Sequence, residues 1–410
     1  MHQVSRRGWL AATATALTGG AGCLGLGGSD EPVTVGSLLP LSGEGTLATF
    51  ASHHERAIDA AVADVNAAGG IHGRTVVHQP ADTAADPETA ADAYQSLVDD
   101  GAVAIVGAVL SSVTTSLADR PAEDGVLMLS PSSTSPSLAS AGRTDDAKFF
   151  GRTCPNDRQQ AAAMAKILDD ARYADADDAT VLYVDDAFGG ALVEGLESAT
   201  DTTVRATVPF APSDPSPETR VSAALSGDPD AVVFVGTPGP SAAVLDELVS
   251  ADYDGDVVVS AGMSVDATDD DYAGVYTPSV ASARTVGTQR LQRELSDLQP
   301  LMAYTTNAYD AAMLAALAGE RADDVSSTAI AQSLRAVAGG TGHSVSVGQF
   351  DRASTLFDAG REVNYRGASG GVDLQPNLEP LSSYLVERVQ SGSVQTLELL
   401  QRSYFGGDGE

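Results

Sequence analysis

The feature that most constrains this chain is a repeated alternation between short apolar runs and stretches of helical periodicity, beginning at residue 33. The apolar run 33–39 predicts a buried strand, and Ile58, Ala61 and Val65 then follow at the spacing of one helix face. The same pattern predicts further strands at 75–77, 102–109 and 126–129, and a helix at 90–98. Such β-α-β repetition implies a parallel sheet with helices on both of its faces.

A second series of the same kind starts after Phe149 and Phe150. Its predicted strands are 180–184, 204–209, 231–236 and 257–260, and its predicted helices are 161–168, 189–198 and 241–249. Two alanine-rich helices, at 303–319 and 326–338, and a strand pair within 382–400 follow. We therefore expect an α/β protein made of two Rossmann-like lobes with parallel sheets.

The predicted fold carries an unusually acidic surface. The chain has 56 Asp and Glu residues against 23 Lys and Arg residues, a formal net charge of −33, and its lysines are Lys148 and Lys166. This charge repels nucleic-acid phosphates, so a nucleic-acid partner is disfavoured. In molar salt the Debye length falls to ~3 Å, which screens the self-repulsion of such a surface. Acidity and scarce lysine together favour a halophilic source over an ordinary acidic secreted protein.

The first residues resemble an export signal that ends at a lipid-attachment cysteine. Arg6 and Arg7 form a twin-arginine motif, and the apolar stretch 9–17 is too short to span a bilayer. Small residues then precede Cys23, the pattern of a lipobox in which the thiol takes a diacylglyceryl group. We expect a protein held by its lipid at the extracellular face of the cytoplasmic membrane. Cys154 is then expected to be a packed lone thiol, and a disulfide to Cys23 is disfavoured.

The loops at the carboxyl ends of the predicted strands are rich in serine, threonine and glycine. They are 40–48, 108–115, 130–137, 185–190, 236–241 and 260–265. In open parallel sheets, ligands bind at this edge. Hydroxyls and free backbone N–H groups suit hydrogen bonds to a carboxylate or an amide. The sequence therefore favours a site for a small polar solute here.

Five segments resemble the leucine/isoleucine/valine-type substrate-binding proteins of ABC importers. The segments are 35–43, 64–73, 105–112, 125–134 and 365–370. Their order and spacing are more specific than any one of them, and the resemblance covers about residues 33–390. It implies the type I periplasmic-binding fold, in which two hinged lobes close on a small solute.

The chain of that family crosses between its lobes three times, and the resemblance places these crossings near 152, 281 and 383. Residues 1–23 would be the signal with lipobox and residues 24–32 a flexible tether. Lobe I would comprise 33–152 and 281–383, and lobe II 153–280 and 384–410.

The resemblance also implies residues that bind the ligand. Its carboxylate would be bound by Ser111, after the third predicted strand, and by Ser132 and Thr134, after the fourth. An isolated Ser or Thr in a loop is more commonly a turn or cap residue. The family's aromatic positions fall near Phe50 in the first lobe and on Phe188 in the second. For these two rings, burial in the core is an equally good interpretation.

The half of the site that would bind a ligand ammonium departs from the family pattern. An acidic residue often follows the last strand of the second lobe, whereas 260–263 contains no acid, and a family tyrosine is replaced by Thr237. Asp266, Asp185 or Asp186 could substitute, but a solvated surface carboxylate is the stronger interpretation in so acidic a chain. An amide or a carboxylate therefore stays open as the ligand, beside an α-amino acid.

No catalytic or metal-binding motif is predicted. Residues 367–371 fit the nucleophile-elbow pattern, but a strand-like stretch follows them and no histidine occurs after His343. His53 and His54 are adjacent, so they point in different directions on a helix and make a poor metal pair. We expect a protein without cofactor, metal or enzymatic activity.

These observations predict a monomeric solute-binding lipoprotein that delivers a small polar solute to an ABC permease in the membrane. The solute would be a branched-chain amino acid or a related amide or carboxylate. Two alternatives stay open. One is a sensor that reports its ligand to a membrane signalling partner, and the other is an extracellular enzyme on this fold, which would need a catalytic set that the motifs do not supply.

Overall fold

The computed structural model describes residues 31–406 except 212–214, 238, 240, 264, 282–284 and 340–341. The expected twin-arginine signal and lipobox, with Arg6, Arg7 and Cys23, lie outside the described residues, as does the expected tether before residue 31. Within the described part of the chain, we find no helix with the length and apolarity needed to cross a membrane.

Strands and helices are numbered separately along the described residues. The strands are β1 (Val33–Leu39), β2 (Val76–Asp82), β3 (Ala104–Val106), β4 (Leu127–Ser130), β5 (Phe150–Arg152), β6 (Asp178–Val184), β7 (Thr203–Phe210), β8 (Ala231–Val235), β9 (Asp256–Val259), β10 (Tyr276–Val280), β11 (His343–Ser346), β12 (Val363–Arg366), β13 (Tyr384–Gln390) and β14 (Ser393–Leu400). The α-helices are α1 (Gly45–Ala67), α2 (Pro87–Asp99), α3 (Ser111–Ser116), α4 (Arg120–Asp124), α5 (Asp157–Asp169), α6 (Ala187–Ala199), α7 (Pro217–Ala224), α8 (Ala242–Val249), α9 (Val286–Glu294), α10 (Thr305–Arg321), α11 (Ser327–Ala338), α12 (Phe350–Asp358) and α13 (Arg402–Phe405).

Two large sheets organise the molecule. The first is wholly parallel, in the order β2-β1-β3-β4-β5. The second has the order β14-β13-β10-β9-β8-β6-β7 and is parallel except for the hairpin β13–β14, which pairs antiparallel with β10. We call the part built on the first sheet lobe I and the part built on the second lobe II. This is the two-lobed α/β architecture predicted from the sequence.

The chain passes between the lobes three times, after β5, after β10 and before β13. Helices α9 to α12 and the small parallel pair β11–β12 return to lobe I, where their apolar side chains share one core with β1. Of the positions predicted as crossings, 152 is the last residue of β5, 281 follows β10 and 383 precedes β13. The exact division into domains stays a prediction.

Buried apolar side chains cover both faces of each sheet, which explains why the strands read as nearly continuous apolar runs. In lobe I, one face packs against α1 and α10 and the other against α2 and α3. α10 is buried along nearly its whole length. Because alanine side chains are small, its many alanines allow α10 to pack closely against α1.

Glycine sets the end of one strand that the sequence predicted as longer. Instead of 102–109, β3 ends at Val106, because the backbone turns at Gly107 with φ 138°. A Cβ at Gly107 would lie 2.6 Å from the carbonyl oxygen of Leu38, so only glycine fits there. This turn leads residues 108–112 into the cleft between the lobes.

Helix caps place polar side chains at the same edge of the sheets. α5 begins after Asn156 and α6 after Asp186, and the side chain of each accepts a hydrogen bond from the first turn of its helix. Both helices begin on the lobe II side of the cleft.

Candidate functional site

A cavity of about 230 Å³ lies between the lobes, at the carboxyl ends of strands from both sheets. Lobe I contributes residues that follow β1, β3 and β4, and lobe II contributes residues that follow β6, β8 and β9. The β1/β3 and β6/β8 pairs are the points where strand order reverses in the two sheets. Ligands of open α/β sheets bind at such points, so this cavity is the candidate site.

All six residues that the sequence predicted to bind ligand line this one cavity. Ser111, Ser132, Thr134 and Phe50 come from lobe I, whereas Phe188 and Thr237 come from lobe II. Their separation in sequence is large, and only the two sheets bring them together. Their contact with a ligand stays a prediction.

Among the described residues, no acceptor for the Ser111 hydroxyl proton is present, so this proton is available to a ligand. Its Oγ accepts hydrogen bonds from the backbone N–H groups of Thr134, at 3.2 Å, and Ser135, at 3.4 Å. A hydroxyl that accepts in this way still has its own proton to donate. Ser111 is 7% exposed, so a bond from it to a ligand would be dry.

Ser132 acts differently from Ser111. Its hydroxyl donates to the carbonyl oxygen of Val109 at 2.8 Å and thereby ties the loop after β4 to the loop after β3. The proton of Ser132 is therefore occupied, and the side chain positions the loops that surround the cavity.

A buried ion pair fixes the loop that contains Thr134. The fully buried Arg152 donates at 2.9 Å to the carbonyl oxygens of Ser133 and Ser135, on either side of Thr134, and pairs with Glu379. Glu379 also accepts from Asn156 at 2.9 Å. This network was not predicted from the sequence, because Arg152 and Glu379 are 227 residues apart and no local pattern links them.

Apolar side chains form most of the remaining wall. They are Leu47, Phe50, Val109, Leu110, Phe188 and Tyr304. Phe50 belongs to the lobe I core and also lines the cavity. Burial in the core and contact with a ligand are therefore compatible for this ring. Leu47 and Tyr304 were not predicted. Tyr304 adopts φ 61° just before α10, a conformation that the sequence does not signal.

Three carboxylates were weighed as substitutes for the missing family acid, and one of them lines the cavity. Asp185 and Asp266 are exposed and lie outside the cavity wall, as a solvated surface role requires. Asp186 lines the cavity, and burial raises the pKa of its carboxyl above the ordinary value. The interpretation of Asp186 as a solvated surface carboxylate is therefore wrong.

A second buried acid, Asp157, lies at the start of α5. Its carboxylate accepts from the Gln160 side chain at 2.8 Å, and its other oxygen has no hydrogen-bond partner among the described residues. Burial raises the pKa of Asp157 to about 7, the Thr134 hydroxyl and Arg152 act to lower it, and the charge of Asp186 raises it further.

Two arrangements outside the cavity resemble catalytic motifs, but their side chains have structural roles. The hydroxyl of Ser369, in the elbow-like segment, donates to the buried Asp310 at 2.6 Å. Ser37, His78 and Asp59 form a hydrogen-bonded chain like that of a hydrolase triad, with distances of 2.8 and 2.7 Å. Ser37 is 0% exposed, so no substrate reaches it.

The two adjacent histidines and the cysteine also have structural surroundings. His54 is fully buried with Nδ1 2.8 Å from the carbonyl oxygen of Phe50, and His53 accepts from the Met302 N–H. Across the described ranges, no group of three or more His, Cys, Asp or Glu side chains is placed to hold a metal ion. Cys154 is a free, buried thiol, and burial raises its pKa to about 12, which makes it a poor nucleophile.

Comparisons with known proteins agree with this geometry. Residues 32–354 match a family model described as periplasmic binding protein. The chemotactic signal transduction system substrate-binding protein BasB of Halobacterium salinarum is 52% identical over 412 residues, which cover 100% of both chains.

Two solved structures share the fold at low sequence identity. The leucine binding protein LivK of Thermotoga maritima has a TM-score of 0.72 and 21% identity, over 90% of this chain and 99% of that chain. A solute binding protein of R. palustris, solved in complex with benzoate, has a TM-score of 0.73 and 18% identity, over 90% and 97% of the two chains.

Proposed function

This chain belongs to the periplasmic binding protein family, and we propose that it captures a small solute with a carboxylate and an apolar body by closing its two lobes. The solute class is that of branched-chain amino acids and related amides or carboxylates. The observation that carries the proposal is the free Ser111 proton, which points to an anionic ligand in a cavity walled mostly by apolar side chains.

Closure follows from where the lining residues are attached. Ser111 and Thr134 belong to lobe I, whereas Phe188 and Thr237 belong to lobe II. A solute that contacts both sets gains interactions in the closed arrangement that the open one lacks. Its differential affinity shifts the population toward closure, which is the signal that a membrane partner reads.

Binding without turnover is part of the proposal. The Ser111 and Ser132 hydroxyls are engaged with backbone groups, and no histidine lines the cavity among the described residues. A serine nucleophile needs such a base within hydrogen-bond reach. Hydrolysis of a bound ester or amide by the purified protein would contradict this part.

Two membrane partners fit a lobe pair that closes on its ligand. One is the ABC permease predicted from the sequence. The other is a signalling protein, and the similarity to a chemotactic substrate-binding protein over the whole of both chains favours it. Deletion of the gene distinguishes them: loss of attraction to the ligand with uptake unchanged supports sensing, and loss of uptake supports transport.

The leader places the protein outside the cell in this proposal, with Cys23 carrying the lipid. Replacing Cys23 by Ala should release the exported protein into the medium. Replacing Arg6 and Arg7 by Lys should instead hold it in the cytoplasm. Membrane retention of the Cys23→Ala protein after a salt wash would contradict lipid anchoring.

The proposed ligand class is tested by thermal unfolding of the protein in molar salt with amino acids, amides and short carboxylates. A ligand that binds only the folded state stabilises it, by ~2.7 kcal/mol of unfolding free energy when its concentration is about a hundred times Kd. The melting temperature rises as a result. Branched-chain compounds that carry a carboxylate should give the largest shifts. A screen in which only ligands without a carboxylate produce a shift would overturn the proposal.

A further inference from the structure

We infer that Asn156, a residue outside the cavity wall, stabilises the closed arrangement of the two lobes through a hydrogen bond to Glu379 that opening of the cleft breaks. The inference rests on the proposed function, since it concerns the closure that follows capture of the solute. It makes Asn156 a positioning residue for binding, which acts on the angle between the lobes without touching the solute.

The first crossing between the lobes is anchored to lobe I as far as Thr153. The backbone N–H of Thr153 donates to the carbonyl oxygen of Ser130 at 3.0 Å. Its hydroxyl donates to the carbonyl oxygen of Asn307, in α10, at 2.8 Å, and the Asn307 side chain donates to the carbonyl oxygen of Thr153 at 2.7 Å. Asn156 caps α5, which belongs to lobe II. A change in the lobe angle therefore falls on the short stretch between Thr153 and Asn156.

The third crossing is anchored to lobe II from Pro380 onward. The side-chain amide of Gln159, in α5, donates to the carbonyl oxygen of Pro380 at 3.2 Å, and its oxygen accepts from the Ser382 N–H at 2.8 Å. Just before that point, the carbonyl oxygen of Leu378 accepts from the N–H of Arg152, in lobe I, at 2.9 Å. The pivot of this crossing therefore lies between Leu378 and Pro380.

The side chains of Asn156 and Glu379 meet where these two pivots adjoin. Nδ2 of Asn156 donates to Oε2 of Glu379 at 2.9 Å, while the other carboxylate oxygen of Glu379 pairs with Arg152. Glu379 is 4% exposed and Arg152 is fully buried, so the acceptor of this bond is shielded from water. Hydrogen bonds to a charged group in such surroundings are among the stronger ones in proteins.

Opening of the cleft moves α5, and Asn156 with it, away from the lobe I side of the pivots. The carboxylate of Glu379 then keeps its pair with Arg152 and its hydrogen bond from Asn377, at 2.7 Å, and loses the one from lobe II. The closed arrangement therefore has a buried, charge-assisted hydrogen bond that the open one lacks. Because Arg152 also donates to the carbonyl oxygens on either side of Thr134, the same network links the lobe angle to a loop of the candidate site.

The informative variant is Asn156→Ser. Serine caps a helix as well as asparagine does, but its shorter side chain does not reach Glu379. Asn156→Asp also keeps the cap and places a second carboxylate beside Glu379, so above neutral pH the repulsion should open the lobes further. Ser326→Asn is the matched control, because it makes the reverse exchange at the exposed cap of α11, in lobe I.

Small-angle X-ray scattering on the full-length, ligand-free protein in molar salt measures the opening of the lobes as a radius of gyration. We expect a larger radius for Asn156→Ser than for the wild type, a still larger one for Asn156→Asp, and the wild-type radius for Ser326→Asn. Thermal unfolding checks that each variant is folded. A radius of gyration for Asn156→Ser equal to that of the wild type would overturn the inference.

Calorimetry with L-leucine distinguishes failure of the inference from failure of the proposed function. A smaller closed population lowers the apparent affinity by the same factor, so Asn156→Ser should bind leucine roughly 10-fold more weakly than the wild type. Unchanged leucine affinity in Asn156→Ser would overturn the inference and leave the proposed function standing. A wild type that binds neither leucine nor 4-methylpentanoate would instead overturn the proposed ligand class, and the radii of gyration would then decide the inference alone.

Discussion

The two walls of the cleft present opposite hydrogen-bonding groups. On the lobe I wall, Ser111 has a free proton to donate, in loops fixed by Arg152 and Glu379. On the lobe II wall, Asp186 presents an acceptor with a negative charge. A solute that bridges the walls must therefore accept on one side and donate on the other. Under the proposed function, this difference between the walls favours a solute that carries both kinds of group.

The largest effect is expected from the ion pair that stiffens the lobe I wall. Glu379→Gln leaves Arg152 as an unpaired buried charge, which should cost about 3–5 kcal/mol of unfolding free energy. Denaturant unfolding in molar salt measures this loss. Glu362→Gln is the control, since Glu362 pairs with Arg321 at an exposed site and should change stability by about 0–1 kcal/mol. Equal effects of the two variants would mean that the buried pair does not stabilise the wall.

The next effect tests whether the lobe I wall binds the carboxylate. Replacing Ser111 and Thr134 together by Ala should weaken carboxylate ligands by roughly 2–4 kcal/mol, because each hydrogen bond to a charge contributes ~1.5–3 kcal/mol. Calorimetry measures the change, and Ser116→Ala provides a control from the exposed side of the same helix. Unchanged affinity in the double variant would refute the site.

A smaller effect concerns the acid behind the lobe II wall, Asp157. Its folded pKa of about 7 lies above the ordinary value, so the folded state holds its proton more tightly than the unfolded state does. Asp157 therefore costs little stability at acidic pH; the cost grows as the pH rises from the ordinary pKa of 3.8 towards about 7 and is fully present above it. Its titratable neighbours are Arg152, Cys154, Asp186, Tyr304 and Tyr384.

Without ligand, Asp157→Asn should therefore be more stable than the wild type by ~1–3 kcal/mol above neutral pH, and by less in acid. Melting temperatures measured across this pH range check this expectation, with Asp185→Asn as the exposed control. A stability difference that grows as the pH falls would contradict the assignment of a buried, destabilising charge.

The family resemblance read from five sequence segments is confirmed, and so is the two-lobed α/β fold. Strands such as β6 and β8 were predicted to within two residues, because uninterrupted apolar runs of this length are typical of buried parallel strands. β10 was missed because its sequence is polar and contains Pro278. β5 was missed because it is only three residues long.

Some residues that line the cavity could be predicted from the sequence, and others could not. Phe188 and Ser111 could be located because a strand end and a family motif coincide there. Asp186 was weighed and set aside, because the chain carries 56 acidic residues and sequence cannot tell a buried carboxylate from a solvated one. Tyr304 carried no signal at all, since it reaches the cavity only through a backbone conformation at the start of α10.

The sequence by itself determined the alternation of strands and helices, the loops at the strand ends and the acidic surface, because each of these depends on local spacing or on composition. Only the tertiary structure decided which charges face each other. Arg152 pairs with Glu379 across 227 residues, and Asp157 is buried at the start of α5 although its sequence surroundings do not signal it. Whether a charge is solvated, paired or left open to a ligand depends on burial and on neighbours that are distant in the chain, and both are set by how the lobes pack.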